Sequence, residues 1–176
     1  DSLIVVDEAY QEFSSGNGYI DKLDNYRNLV LTRTLSKAYG LAGVRAGVAL
    51  ADPDVINLML KVLPPYPIPR PVERAVMNAL SPAAMSLHNA RLTETLSERS
   101  RLAEGLKQSE FVARVLPSEA NFFAFMTNDA EAMLRALNKS NVKIRDFRSK
   151  MPNLFRISIG SPEENMVALA AFGVGE

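Results

Sequence analysis

Residues Thr34-Leu35-Ser36-Lys37-Ala38-Tyr39-Gly40-Leu41-Ala42-Gly43-Val44-Arg45-Ala46-Gly47 lie between two apolar runs, Leu29-Val30-Leu31 and Val48-Ala49-Leu50. Short runs of that kind read as strands, so the stretch is the loop that joins them. Gly40, Gly43 and Gly47 permit a turn, or a close approach of backbone, where a Cβ would clash. Thr34, Ser36 and Arg45 are donors suited to an anionic phosphate, and Lys37 puts an amine at the end of a strand. An amine beside a phosphate site is the arrangement a Schiff-base cofactor needs: lysine attacks an aldehyde while hydroxyls and a guanidinium hold the phosphate.

Upstream, Leu3-Ile4-Val5-Val6 is a continuous, mostly β-branched run that ends at Asp7-Glu8. It predicts a strand buried on both faces, as in a parallel sheet covered by helices. A carboxylate at the C-terminal end of such a strand lies where open α/β sheets place their ligands, although Asp7 also suits a plain cap or turn. Downstream, Asp52-Pro53-Asp54 marks a helix start, with Val55, Leu58, Met59 and Val62 as its apolar stripe. Pro64, Pro65, Pro67, Pro69 and Pro71 then make a stiff bend. Helices are expected over 71–80 and 86–108, strands over 110–116, 121–126 and 155–159, and helices over 129–139 and 163–172. Strand, strand, helix, strand, helix describes a small α+β domain, which puts the boundary inside the long helix: residues 1–95 and 96–176.

The 176 residues include 20 basic and 20 acidic side chains and no cysteine. Zero net charge gives no argument for nucleic acid or an anionic membrane surface. The lack of cysteine excludes disulfides, thiolate metal sites and thiol nucleophiles. With no apolar run of about 18 residues and no basic-then-apolar leader, a cytoplasmic protein is expected, without a metal centre. His88, the single histidine, has no second ligand or carboxylate pair near it in sequence and reads as a surface residue.

The pattern Thr-x-Ser-Lys-x-x-Gly-Leu-Ala-Gly-x-Arg-x-Gly resembles the cofactor-lysine segment of the fold-type I pyridoxal-phosphate aminotransferases. Asp7-Glu8-Ala9-Tyr10 and Pro65-Tyr66-Pro67 are similar to the histidinol-phosphate aminotransferase branch of that family. The similarity runs from residue 3 to about residue 170 and concerns the second half of a chain roughly twice as long. It implies an α/β fold, with part of a large, mostly parallel cofactor-binding domain followed by a small α+β C-terminal domain.

The same resemblance implies pyridoxal 5'-phosphate as cofactor, with Lys37 as its covalent anchor and the catalytic acid–base. Asp7 would pair with the ring nitrogen, the Tyr10 hydroxyl with the ring oxygen, and Thr34, Ser36 and Arg45 would line the phosphate site. Arg156, in Arg156-Ile157-Ser158-Ile159-Gly160, would grip the substrate α-carboxylate through two parallel hydrogen bonds. Read from its surroundings alone, it is an ordinary strand-edge ion pair. Arg145 is either a second substrate anion contact or an ion-pair partner of Asp146, and Asn121 a possible lining residue. The reaction implied is transamination between glutamate/2-oxoglutarate and histidinol phosphate/imidazole-acetol phosphate, in a homodimer when full length. Aromatic transamination, threonine-phosphate decarboxylation, and a fragment that only associates with a partner are the alternatives.

Overall fold

The computed structural model describes residues 2–175. The chain divides into two compact units, Asp1–Ala90 and Arg91–Glu176.

The first unit is built on a three-stranded sheet of β1 (Ile4–Asp7), β2 (Leu29–Thr34) and β3 (Gly47–Ala51), in the order β1-β2-β3. β1 pairs with β2 in parallel, and β2 with β3 antiparallel, with Thr34 opposite Gly47. β2 is the central strand, and its Leu29, Val30 and Leu31 are buried. β1 departs from the expectation of burial on both faces: Leu3, Ile4 and Val5 are exposed, Val5 at 62%. The physical reason is that burial on both faces needs helices packed above and below the strand, and the substantial contacts of β1 are with its sheet neighbour β2 alone.

Helix α1 (Pro53–Val62) starts as its sequence dictates, with the Asp52 carboxylate accepting from the Asp54 amide at 2.9 Å and Pro53 in the first turn. Its predicted stripe is only partly used. Val55, Ile56 and Met59 are half-buried, whereas Leu58 and Val62 are exposed, Val62 at 84%. The inward face is centred near Ile56 and Met59, which turns Leu58 away and leaves Val62 at the open helix end. Residues 64–69 form the exposed proline bend, and α2 (Arg70–Ala79) follows. Helix α3 (Pro82–Leu106) runs from the first unit into the second.

In the second unit β4 (Val112–Val115), β5 (Phe122–Thr127), β6 (Arg145–Asp146) and β7 (Leu154–Ser158) form an antiparallel sheet in the order β4-β5-β7-β6. β6 has only two residues and no apolar pattern, so the sequence offers no strand signal there. Helices α4 (Ala130–Lys139) and α5 (Pro162–Ala171) complete the unit. One sheet face carries Phe123, Phe125, Phe155 and Ile157 into a core with Leu102, Leu106, Met133, Leu137 and Phe172. The Phe125 and Phe172 rings meet edge to face at 5.5 Å. No helix among the described residues is long and apolar enough to cross a membrane.

Candidate active site

The loop after β2 closes on itself through short-range hydrogen bonds. Thr34 Oγ1 accepts from the Ser36 amide at 3.1 Å and turns the chain as β2 ends. The Gly40 amide donates to Lys37 O at 3.0 Å and the Leu41 amide to Leu35 O at 2.9 Å, so Lys37 sits at the start of a tight turn. Gly40 has φ +68°, a conformation that favours glycine. At Gly47 the need is different: a Cβ there would stand 2.7 Å from the Arg33 carbonyl, so glycine permits the close β2–β3 pairing. A Cβ on Gly43 meets nothing within 4 Å, so neither reason applies. Arg45 is left-handed at φ 57° without being glycine, and its Nη1 donates to Ala42 O at 2.9 Å. Such backbone costs on the order of 1 kcal/mol and concentrates at functional sites.

Asp7 ends β1, directly opposite Thr32 of β2, and its carboxylate accepts from the Ala9 amide at 3.0 Å. That is the turn role open to any strand-end aspartate, and it coexists with a place in a cleft. Asp7, Thr34, Ser36, Lys37 and Arg45 line one open cleft of about 410 Å³, with Ala46 and Gly47 in its wall. Tyr10 is half-buried, with its ring centroid 5.3 Å from the Lys37 ammonium.

The neighbouring carboxylate, Glu8, is structural. It is only 5% exposed, binds Arg33 at 2.9 Å and accepts from the Tyr19 amide at 2.7 Å. This pair fixes the strand ends on either side of the cleft, and the sequence carries no signal for it across 25 residues. His88 is not the surface residue expected. It is half-buried, its ring stacked on Tyr39 at 4.4 Å and 2° between planes. Burial pushes the Tyr39 phenol above its ordinary range, and nearby Glu12 adds to the effect.

The two predicted substrate arginines lie in the second unit. Arg145 of β6 and Arg156 of β7 are direct partners in register. The expected ion pair between Arg145 and Asp146 does not form: Asp146 binds Arg148 instead, at 2.8 Å, and Arg148 also reaches Glu131. The side chains of residues 145 and 146 leave opposite faces of the strand, which separates them. Nor is Arg156 a strand-edge ion pair, because β7 is an interior strand and the Arg156 Nε is buried without a hydrogen-bond partner. The half-buried Asn121 accepts from the Ile159 amide through its backbone carbonyl, at 2.9 Å.

An amine, a carboxylate, two hydroxyls and a guanidinium are gathered at the strand ends of an α/β sheet, a donor set with the chemistry of a lysine-centred cofactor site. The family model for aminotransferase class I and II matches residues 1–172, and the chain belongs to that family. It is 40% identical over 166 residues to histidinol-phosphate aminotransferase 2 of Idiomarina loihiensis, covering 93% of this chain and 46% of the relative. It is 41% identical to the histidinol-phosphate aminotransferase of Xanthomonas campestris pv. campestris, covering 97% and 48%. The chain therefore spans about half the length of the curated relatives it matches. The crystal structure of histidinol-phosphate aminotransferase from Sinorhizobium meliloti in complex with pyridoxal-5'-phosphate superposes with a TM-score of 0.79 at 28% identity, over 97% of this chain and 47% of that one. The corresponding enzyme structure from Clostridium acetobutylicum gives a TM-score of 0.86 at 24% identity, over 97% and 53%, and establishes the shared fold.

Proposed function

We propose that the protein is a pyridoxal-phosphate-dependent aminotransferase of histidine biosynthesis, exchanging the amino group between glutamate/2-oxoglutarate and histidinol phosphate/imidazole-acetol phosphate. The observation that carries the reading is the convergence of Lys37, Asp7, Thr34, Ser36 and Arg45 on one cleft. The chemistry of this donor set fits the cofactor: an amine for its aldehyde, a carboxylate for its ring nitrogen, hydroxyls and a guanidinium for its phosphate. Identity of 40–41% to histidinol-phosphate aminotransferases supports the substrate.

Bound pyridoxal phosphate would supply an aldehyde and an electron-accepting ring. Lys37 Nζ would then be the covalent anchor and, once released, the base and acid that moves a proton from the substrate α-carbon to the cofactor's C4′ carbon. Asp7 keeps the ring nitrogen protonated, and Tyr10 donates to the ring oxygen. Arg45, Ser36 and Thr34 hold the phosphate. Arg156, which has no ion-pair partner among the described residues, binds the substrate carboxylate through its guanidinium in two parallel hydrogen bonds, and Arg145 takes a second substrate anion. Residues 1–95 belong on this reading to the large cofactor domain and residues 96–176 to the small one, in a cytoplasmic homodimer.

The test uses the gene product carrying residues 1–176, purified with pyridoxal phosphate and assayed with glutamate. Imidazole-acetol phosphate should be aminated faster than phenylpyruvate, and borohydride should fix the cofactor on the Lys37 peptide. The reverse substrate order would make the protein an aromatic aminotransferase. Cofactor fixed on another lysine would overturn the site.

A further inference from the structure

Arg145 and Arg156 stand opposite one another on adjacent strands, where like charges repel. Neither forms an ion pair among the described residues. What surrounds them is aromatic. The Arg156 guanidinium carbon lies 4.6 Å from the Phe122 ring centroid and 5.8 Å from that of Phe147. The Arg145 guanidinium lies 6.0 Å from the same Phe147 ring. These distances fall within the range where a ring face attracts a cation. The register explains the grouping: Ala124 is the partner of Arg156 on β5, so Phe122, two residues along, shares its face of the sheet. Phe147 extends the β6–β7 pairing by donating its amide to Leu154 O at 3.0 Å.

A ring and a carboxylate hold a guanidinium in different ways. A carboxylate occupies the N–H edge and cancels the charge; a ring covers the flat face and leaves both the edge and the charge in place. Arg156 stands over the Phe122 ring with no carboxylate partner among the described residues, and its Nε is enclosed and unpartnered. We propose that Phe122 and Phe147 are positioning residues. They hold Arg156 ready for a bidentate carboxylate, and Phe147, shared with Arg145, keeps the two cations together until an anion joins them. This rests on the reading of Arg156 as the substrate-carboxylate arginine. The ligand class is a small carboxylate with a second anionic group.

The probe is 2-oxoglutarate, titrated into the gene product carrying residues 1–176 while the arginine Nε–H signals are followed by NMR. In the unsubstituted protein the Arg156 Nε–H signal should be displaced by the rings, protected from exchange, and moved again by 2-oxoglutarate. Phe122→Leu and Phe147→Leu should each weaken binding by about 2- to 30-fold, the span of one ring–cation contact. KM for 2-oxoglutarate should rise with kcat little changed. Pentafluorophenylalanine at position 122 keeps the ring's shape and reverses its polarity. It should weaken binding as the leucine does, and it replaces the leucine variant if that one fails to fold. Unchanged affinity in the leucine and fluorinated variants overturns the inference. If those variants keep full affinity while Arg156→Lys loses it, the rings alone are wrongly assigned. If Arg156→Lys also binds normally, the carboxylate reading falls with them.

Discussion

Lys37 is an exposed amine whose ring neighbour is Tyr10, and the cleft around it keeps its other donors if the amine is removed. Lys37→Ala should therefore abolish turnover while pyridoxal phosphate still binds, without the borohydride-stable link, as measured by absorbance and peptide mass. Wild-type turnover without added amine would remove Lys37 from the chemistry. Asp7→Ala should lower kcat far more than it raises KM, because the carboxylate is assigned to the cofactor ring and not to the substrate. An effect confined to KM would reassign it. Thr34, Ser36, Lys37 and Arg45 were legible because they sit close together on one loop, whereas Asp7, on a separate strand, was joined to them only by the family resemblance. Glu8 with Arg33, His88 against Tyr39, and Phe147 beside both arginines were not legible. Each contact depends on sheet register or on packing between segments far apart in the chain. Asp146 shows the opposite failure: adjacency to Arg145 suggested a pair that the alternating faces of a strand prevent.

At the scale of elements, the start of α1 was read most directly, because its cap is written in the consecutive residues Asp52-Pro53-Asp54, whereas α3 begins at Pro82, four residues before the expected position 86. Asp52 and Asp129 cap α1 and α4, and Ser161 with Glu164 forms a reciprocal box at α5. Ser161→Ala should destabilise the second unit by about 1 kcal/mol, read as a lower urea midpoint with an unchanged slope. The tie between α3 and α5 is less visible in sequence. Buried Glu98 accepts from Asn165 at 2.8 Å and from Arg101, and the Arg101 hydrogen bond holds its carboxyl below the ordinary carboxylate range despite burial. A depressed carboxyl stabilises the fold above its unfolded pKa, and that contribution is lost as pH falls through the folded value. Glu98→Gln should thus destabilise at neutral pH and flatten the acid limb of a stability–pH profile measured by urea unfolding. A limb of unchanged slope would show that other carboxyls govern it.

At the scale of the whole chain, the two units differ in how much apolar surface they bury. The second has a continuous core from Leu102 to Phe172 drawn from three helices and the sheet. In the first, the buried apolar side chains are Phe13, Leu29, Val30 and Leu31, while Leu3, Ile4, Val5, Val48, Leu58, Leu60, Val62, Leu63, Tyr66 and Ile68 are exposed, Tyr66 at 93%. Apolar burial is the dominant favourable term in folding, so local stability should be graded along the chain. Amides of β5 and β7 should exchange slowest, those of β2 at an intermediate rate, and those of β1 and residues 63–69 fastest. The open edge of β1 and the apolar side chains beside it should also drive concentration-dependent association of residues 1–176. Hydrogen exchange followed by mass spectrometry, at two protein concentrations, tests both parts together. Slowing confined to the first unit at the higher concentration is the expected result, since association covers the surface that lacks a core. Equal protection of β1 and β5 in the dilute sample would mean that the first unit draws its stability from something other than apolar burial.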